Sequence, residues 1–222
     1  IPVADEKEAR AKGLVKSVCP CVLDAFCNAV KSQAHDIGEK SAKIVYSPLH
    51  GTGNVPVRRV LADLGYDVTV VKEQEIKDGN FPTVISPNPE NAEALAIGCK
   101  LCEEIGADIM LGTDPDCDRV GIAVNTGKGM KLFTGNQVGA LLVDYVIKMN
   151  KDKINDKSTV IKTIVTSELG AQIAKLNGCK IIEVLTGFKF IGDKMNMFEK
   201  ENNGEYVIGY EESYGYLVGT HA

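Results

Sequence analysis

What most limits the folds open to this chain is a repeating rhythm: a short apolar run, a turn marked by Gly or Pro, an amphipathic stretch, then the cycle again. KIVYSP (43–48) is apolar and β-branched, the make-up of a buried strand. The Gly-rich turn LHGTGN follows, then VPVRRVLADLG, an amphipathic helix stopped by Gly65. The spacing predicts further strands at 67–74, 107–112 and 120–125, with a Pro/Asn/Gly-rich loop and a helix over 92–106 between the first two. Residues up to about 35 read as helical. After the polar stretch NTGKGMK the rhythm restarts: helix over 135–150, strand 159–167, helix 168–178, strand 180–187, helix 188–202, strand 205–213. Strands alternating with helices imply a mostly parallel sheet covered on both faces. The expected fold is α/β: two consecutive similar α/β domains, residues 1–126 and 127–222, each a mostly parallel (mixed) sheet with helices on both faces. In open sheets of this kind ligands sit beyond the carboxyl ends of the strands. The loops that follow strands are therefore where chemistry is expected.

Composition narrows the partners. Hydrophobic residues make up 44% and charged residues 25%, the range of an ordinary globular protein rather than a disordered one. The formal net charge is -5 and the lysines are scattered among acids, so the clustered basic surface needed to replace phosphate counterions is missing. The best apolar run, VGALLVDYVI, is broken by Asp144 and falls short of the roughly 20 residues of a bilayer span. The first residues lack a basic-then-apolar leader pattern. The expectation is a cytoplasmic protein with neither nucleic acid nor membrane as partner. Of the seven cysteines, Cys99 and Cys102 form a CxxC. At helical spacing both fall on one face, and no second CxxC or paired His offers further zinc ligands, so they are read as small apolar residues.

TDPDCDR, between two strands, carries the strongest chemical signal. Asp114, Asp116 and Asp118 alternate, so in an extended loop all three carboxylates point the same way. Two unit charges about 4 Å apart repel by roughly 4 kcal/mol at an effective dielectric near 20, so three convergent acids call for a cation. Hard oxygen ligands suit Mg²⁺ better than zinc or copper, and three of them leave positions open for water or a phosphate oxygen. The bland alternative is a solvated acidic turn. An EF-hand loop is excluded, because its sixth and twelfth positions, Gly and Glu, are here Arg119 and Asn125. Arg119 is placed to share a phosphate with the metal, or else to pair with one of the aspartates.

Three more loops follow strands. SPLHGTGN is either a plain turn or an anion cradle, with His50 as a turn cap or a phosphate contact. TGFKF offers the Thr186 hydroxyl, the flat face of Phe188 and the Lys189 cation, and is equally a helix start. GYEESYG puts Glu211 and Ser213 on one side of an extended segment, where a carboxylate and a hydroxyl can hold vicinal sugar hydroxyls, or it is a surface strand end.

TDPDCDR, TGFK and GYEESYG, in that order and each after a strand, resemble the α-D-phosphohexomutases, and SPLHGTG and LFTGNQVGALL extend the match from about residue 40 to the end. The resemblance implies a four-domain enzyme with its site at the centre. A phosphoserine there donates its phosphate to a hexose monophosphate. The bisphosphorylated sugar reorients, and the serine takes back the other phosphate, interconverting hexose 1-phosphate and hexose 6-phosphate. It implies Asp114, Asp116 and Asp118 as Mg²⁺ ligands, Arg119 as a phosphate contact, Thr186, Gly187 and Phe188 as the sugar-specificity loop, Lys189 beside them as a further substrate contact, and Glu211 and Ser213 on the sugar hydroxyls. The family's TASHNP-type serine segment and its last, phosphate-gripping domain are not found here. The chain is therefore expected to be the second and third domains, without a catalytic nucleophile and unable to complete a turnover alone. Two alternatives differ in class. One is a non-catalytic binder of sugar phosphate or metal. The other is an aspartyl-phosphate phosphatase, which fits poorly because the fifth position of its DxDx[TV] motif is Asp118 here.

Overall fold

The structure, a computed structural model, describes residues 3–221. Helices α1 (Glu6–Ala11) and α2 (Pro20–Lys31) come first. The helical stretch expected up to residue 35 is thus divided. Gly13, at φ 70, ends the first helix, and Pro20, whose ring fixes a helical φ but donates no N–H, opens the second. Cys19 and Cys21 are joined by a disulfide.

The first sheet contains β1 (Lys43–Ser47), β2 (Asp67–Val70), β3 (Ile109–Thr113), β4 (Val120–Asn125) and β5 (Met130–Phe133), in the order β2-β1-β3-β4-β5. β1 runs parallel to β2 and β3, while β4 and β5 pair antiparallel. β5 was not expected. The polar stretch around residue 126 is a tight turn, closed by the Thr126 N–H on the Gly129 carbonyl at 3.1 Å. The first sheet therefore continues past 126 to Phe133. β2 is shorter than read, because Lys72–Gln74 coil into a 3₁₀ turn.

Alternation along β1 explains how both faces are covered. Val45 faces α4 (Ala92–Ile105) and joins Leu95, Cys102, Met110 and Ala123 in one buried cluster. Tyr46, the next residue, faces the other way and donates to or accepts from the Thr113 hydroxyl at 2.8 Å, near the start of α3 (Asn54–Asp63). Cys102 is fully buried and Cys99 packs against the same cluster. Burial pushes the Cys102 thiol up to about 11, which is the behaviour of a packing residue rather than a ligand or nucleophile.

The second sheet holds β6 (Ser158–Thr163), β7 (Lys180–Val184), β8 (Glu205–Tyr210) and β9 (Tyr216–Leu217), in the order β7-β6-β8-β9. β6 is parallel to β7 and β8, and β9 is antiparallel to β8. Both sheets therefore begin with the same pattern of order and direction, which is what the similar rhythm of the two halves reflects. α5 (Gly135–Met149) and α6 (Glu168–Leu176) cover the face carrying Val160 and Ile208. α7 (Phe188–Glu201) covers the face carrying Ile161, with Val184 and Ile191. No helix among the described residues is long and apolar enough to cross a membrane.

Every residue of the central strand β6 is buried, including Lys162. Its ammonium reaches Glu168 at 2.8 Å and Glu183 at 2.9 Å. Burial pulls the Lys162 pKa down, but the two carboxylates more than offset this and hold it above its usual value. Lys162 in turn holds the exposed Glu168 carboxyl below its usual 4.5. The carboxyl's contribution to stability is present above that value and is lost as pH falls through the lowered one; the ammonium's is present below 10.5 and lost as pH rises through the raised one. Lys162→Met should therefore give a flatter profile of melting temperature against pH on both the acid and alkaline sides. A profile as steep as that of the parent chain would show that the triad contributes nothing.

Candidate active site

The sheets turn the carboxyl ends of β1, β3 and β8 toward a common region. β3 ends at Thr113, and the next six residues reverse the chain into β4. Asp114 is 1% exposed, while Asp116 and Asp118 are open to solvent. Carboxylate oxygens of all three lie within 4.8 Å of one another. Burial, and then the neighbouring Asp114 and Asp116, push the Asp118 carboxyl above its ordinary value, with Arg119 pulling the other way. Three crowded, oxygen-only ligands with one member reluctant to ionise fit a hard divalent cation.

Arg119 is not splayed outward. Its backbone N–H donates to Asp114 Oδ1 at 3.0 Å and its Nε to Oδ2 at 2.7 Å, with Glu90 at 3.5 Å and Asp118 at 3.8 Å. Gripping the buried aspartate at both oxygens fixes the loop from within.

The Gly-rich turn after β1 is the buttress of that loop. The Thr52 N–H and hydroxyl both donate to the Pro115 carbonyl, at 2.8 Å and 3.0 Å. A Cβ at Gly51 would collide with the Pro115 main chain, and one at Gly53 with the Tyr46 hydroxyl. Only glycine lets the two loops approach so closely. Of the two readings of this turn, the structural one describes what His50 does. It is buried, with Nδ1 on the Ile76 carbonyl at 2.9 Å and Nε2 on the Thr83 hydroxyl at 2.8 Å.

The two sugar-loop motifs meet each other. Glu211, just past β8, is 6% exposed. Its Oε1 accepts the Gly187 N–H at 2.6 Å and its Oε2 the Ser213 hydroxyl at 3.3 Å. Gly187 sits at φ 124, a conformation side chains disfavour, and this lets its N–H turn toward Glu211 immediately before α7 begins. Phe188 lies over Gly215, leaving no room for a Cβ there. Lys189 is exposed, with its ammonium 4.8 Å from the Phe190 ring centre. Thr186 is exposed on the same loop.

The metal and sugar loops are tied across the two units. The Tyr214 carbonyl accepts the N–H of Val120, the residue after Arg119, at 3.1 Å, and the Tyr214 hydroxyl donates to the Phe133 carbonyl at 2.8 Å. A cleft of about 1190 Å³ carries Cys117 and Asp118 on one wall and Phe188 and Lys189 on another. Leu49, His50, Cys117 and Tyr214 all hold positive φ, and all lie in these three loops. Such backbone persists only where surroundings over-determine it, and it concentrates at functional sites. Sequence reading missed Tyr214, the Gly51 contact with Pro115, and Glu212, whose carboxylate meets Thr163 and Thr166 rather than Glu211 or Ser213. β8 ends at Tyr210 and residues 212–213 form a turn rather than the extended segment expected, so no period along the chain signalled Glu212.

Fold and site define a doubly wound α/β protein with a carboxylate cation centre at its strand ends and a carboxylate–hydroxyl pair beside it. Two family models match. Phosphoglucomutase/phosphomannomutase α/β/α domain II covers residues 24–128, and α/β/α domain III covers residues 134–222. The chain is 36% identical over 211 residues to the phosphoglucomutase of Staphylococcus saprophyticus, covering 93% of this chain and 38% of that protein. It is 34% identical over 219 residues to the phosphoglucomutase of Staphylococcus aureus strain N315, covering 98% and 38%. Among solved structures, a phosphoglucomutase/phosphomannomutase family protein of Burkholderia thailandensis superposes with a TM-score of 0.71 at 19% identity, over 90% of this chain and 40% of that one. The Paramecium parafusin, a phosphoglucomutase seen in an open form, gives 0.57 at 19% identity, over 90% and 33%. These last two bear on the fold alone. The chain belongs to the phosphoglucomutase/phosphomannomutase family of α-D-phosphohexomutases, and spans 38% of the length of the curated relatives it matches.

Proposed function

We propose that this chain is the central portion of a magnesium-dependent, cytoplasmic phosphohexomutase that interconverts hexose 1-phosphate and hexose 6-phosphate, of glucose or mannose, through a phosphoserine and a bisphosphorylated sugar. The observation that carries this reading is the joining of two motifs at one cleft, where Asp118 of the three-aspartate cluster and Phe188 and Lys189 of the loop held by Glu211 share the lining. Asp114, Asp116 and Asp118 would hold Mg²⁺, which as a Lewis acid would neutralise charge on the transferring phosphoryl group. The remaining work falls to the protein's own groups. Glu211 and Ser213 accept from and donate to sugar hydroxyls. Gly187 and Thr186 set the position of the ring, and Phe188 closes one side of it against water. Lys189 and Arg119 face the phosphate charge. Lowering the barrier by positioning rather than by covalent chemistry is what phosphoryl transfer asks of a protein. The nucleophilic serine lies outside these residues, and the partner is a phosphorylated hexose rather than nucleic acid or membrane.

The test is a titration of the Mg²⁺-loaded chain with glucose 1-phosphate, followed by amide NMR. Signals of Gly187, Glu211 and Ser213 should move, and no turnover should accompany binding. Shifts confined to residues remote from this cleft, or robust mutase turnover by the isolated chain supplied with glucose 1,6-bisphosphate, would contradict the reading.

A further inference from the structure

Glu212 sits between the two residues assigned to sugar hydroxyls, and its side chain takes no part in that assignment. Its carboxylate turns to the end of β6 instead. One oxygen, Oε2, accepts the Thr166 hydroxyl at 3.0 Å and the Thr163 hydroxyl at 3.2 Å, and these hydroxyls lie 2.7 Å from each other. Both threonines are buried. The turn that carries them is closed by the Thr166 N–H on the Thr163 carbonyl at 3.1 Å, and the buried Lys162 ammonium donates to the Thr166 carbonyl at 3.0 Å. On the other side, the Glu212 carbonyl lies so close to Gly135 that a Cβ there would collide with it. Residue 212 is thus held by its side chain and its main chain at once.

We propose that Glu212 is a positioning residue, clamped by Thr163 and Thr166, that holds Glu211 and Ser213 in register beside the Gly187 loop; this rests on the reading of that pair as sugar-binding. The physical argument is the division of labour within the turn that joins β8 to β9. Glu211 meets the Gly187 N–H and the Ser213 hydroxyl while Glu212 meets Thr163 and Thr166, so one peptide links the clamp to the residue that carries the Glu211 carboxylate. Glu211 spends one oxygen on the Gly187 N–H at 2.6 Å and has the Ser213 hydroxyl at 3.3 Å. That arrangement is sensitive to small rotations of the main chain, because a misplacement of about 1 Å is enough to cost roughly 100-fold in a positioned site. Releasing the clamp lets residues 211–213 rotate together, and both sugar contacts go with them.

Both hydroxyl bonds fall on a single oxygen, so Glu212→Gln keeps the acceptor and Glu212→Ala removes it. Amide spectra of the 222-residue chain separate positioning from simple stabilisation. Glu212→Ala should displace the Gly187 and Ser213 amide signals and weaken the glucose 1-phosphate response at least tenfold. Glu212→Gln should resemble the parent chain in both respects. Thr166→Val should fall between them, and Thr166→Val combined with Glu212→Ala should add nothing to Glu212→Ala alone. Mg²⁺ affinity should stay within twofold throughout. The proposal is overturned if Glu212→Ala lowers the melting temperature yet leaves the Gly187 and Ser213 signals in place, or if Glu212→Gln is as damaging as Glu212→Ala. Should Glu212→Ala fail to fold, the contrast between Glu212→Gln and Thr166→Val decides. A parent chain that ignores glucose 1-phosphate defeats the proposed function, while the Gly187 signal still reports on the clamp.

Discussion

Gly51→Val should lower the melting temperature by on the order of 10 °C and weaken Mg²⁺ binding at the same time. The obstacle is main chain: a Cβ at residue 51 would overlap Pro115 Cα, carbonyl carbon and oxygen, and neither backbone can swing aside as a flexible side chain can. Overpacking a filled site costs about 1–3 kcal/mol and occasionally more. A chain of this size loses roughly 2–4 °C per kcal/mol, so the upper end of that range gives the expected drop. The metal effect follows from the same contact, because Pro115 lies between Asp114 and Asp116. Gly79→Ala is the control. Nothing lies within 4 Å of its added Cβ, and a change within about 0.5 kcal/mol is expected. Calorimetry of both variants with and without Mg²⁺ checks the pair; equal melting temperatures would refute the buttress.

Asp114→Ala should be the most damaging change within the metal loop. Asp114 is the buried member of its trio and accepts two bonds from Arg119. Hydrogen bonds to a charged group contribute about 1.5–3 kcal/mol each. Arg119 is one-third exposed and keeps Glu90 and Asp118 within reach, which discounts the loss to about 3 kcal/mol. Cation affinity should fall by more than the roughly 10–100-fold seen when a partner just outside a metal's ligands is removed. Asp116→Ala makes the useful contrast. Asp116 is exposed, so affinity should fall while stability barely moves. Chemical denaturation and Mg²⁺ titration of the two variants separate the roles, and similar stability losses would contradict the assignment of Asp114 as the structural anchor.

Much of this was readable in the sequence because periodicity records burial. β1, α4, α5, β6 and α7 follow from apolar spacing and caps, since each buries a continuous face. Asp114, Asp116 and Asp118 were legible for a different reason: alternate acids at a strand end have few explanations besides a cation. What stayed hidden depends on contacts distant in sequence. β5 is only four residues, follows a turn that looks like a linker, and exists because β4 offers it an edge. The turn holding Gly51 and Gly53 read more as a plain turn than as an anion cradle, and the approach of Pro115 to Gly51 is what the sequence could not show. Glu212 and Lys162 look like ordinary charged residues until the fold brings Thr166 to both. Arg119 was read toward a phosphate or an aspartate, and its partner here is Asp114.

Mn²⁺ in place of Mg²⁺ probes the joined cleft directly, because paramagnetic broadening reports nearness to the ion. Bound at the Asp114 cluster, it should broaden the amide signals of residues 114–120 first and those of Gly187, Ser213 and Tyr214 next, while Glu6–Ala11 stay sharp. Broadening spread evenly over the acidic surface, or confined to the metal loop with Gly187 and Ser213 untouched, would separate the cation from the sugar loop and contradict the account.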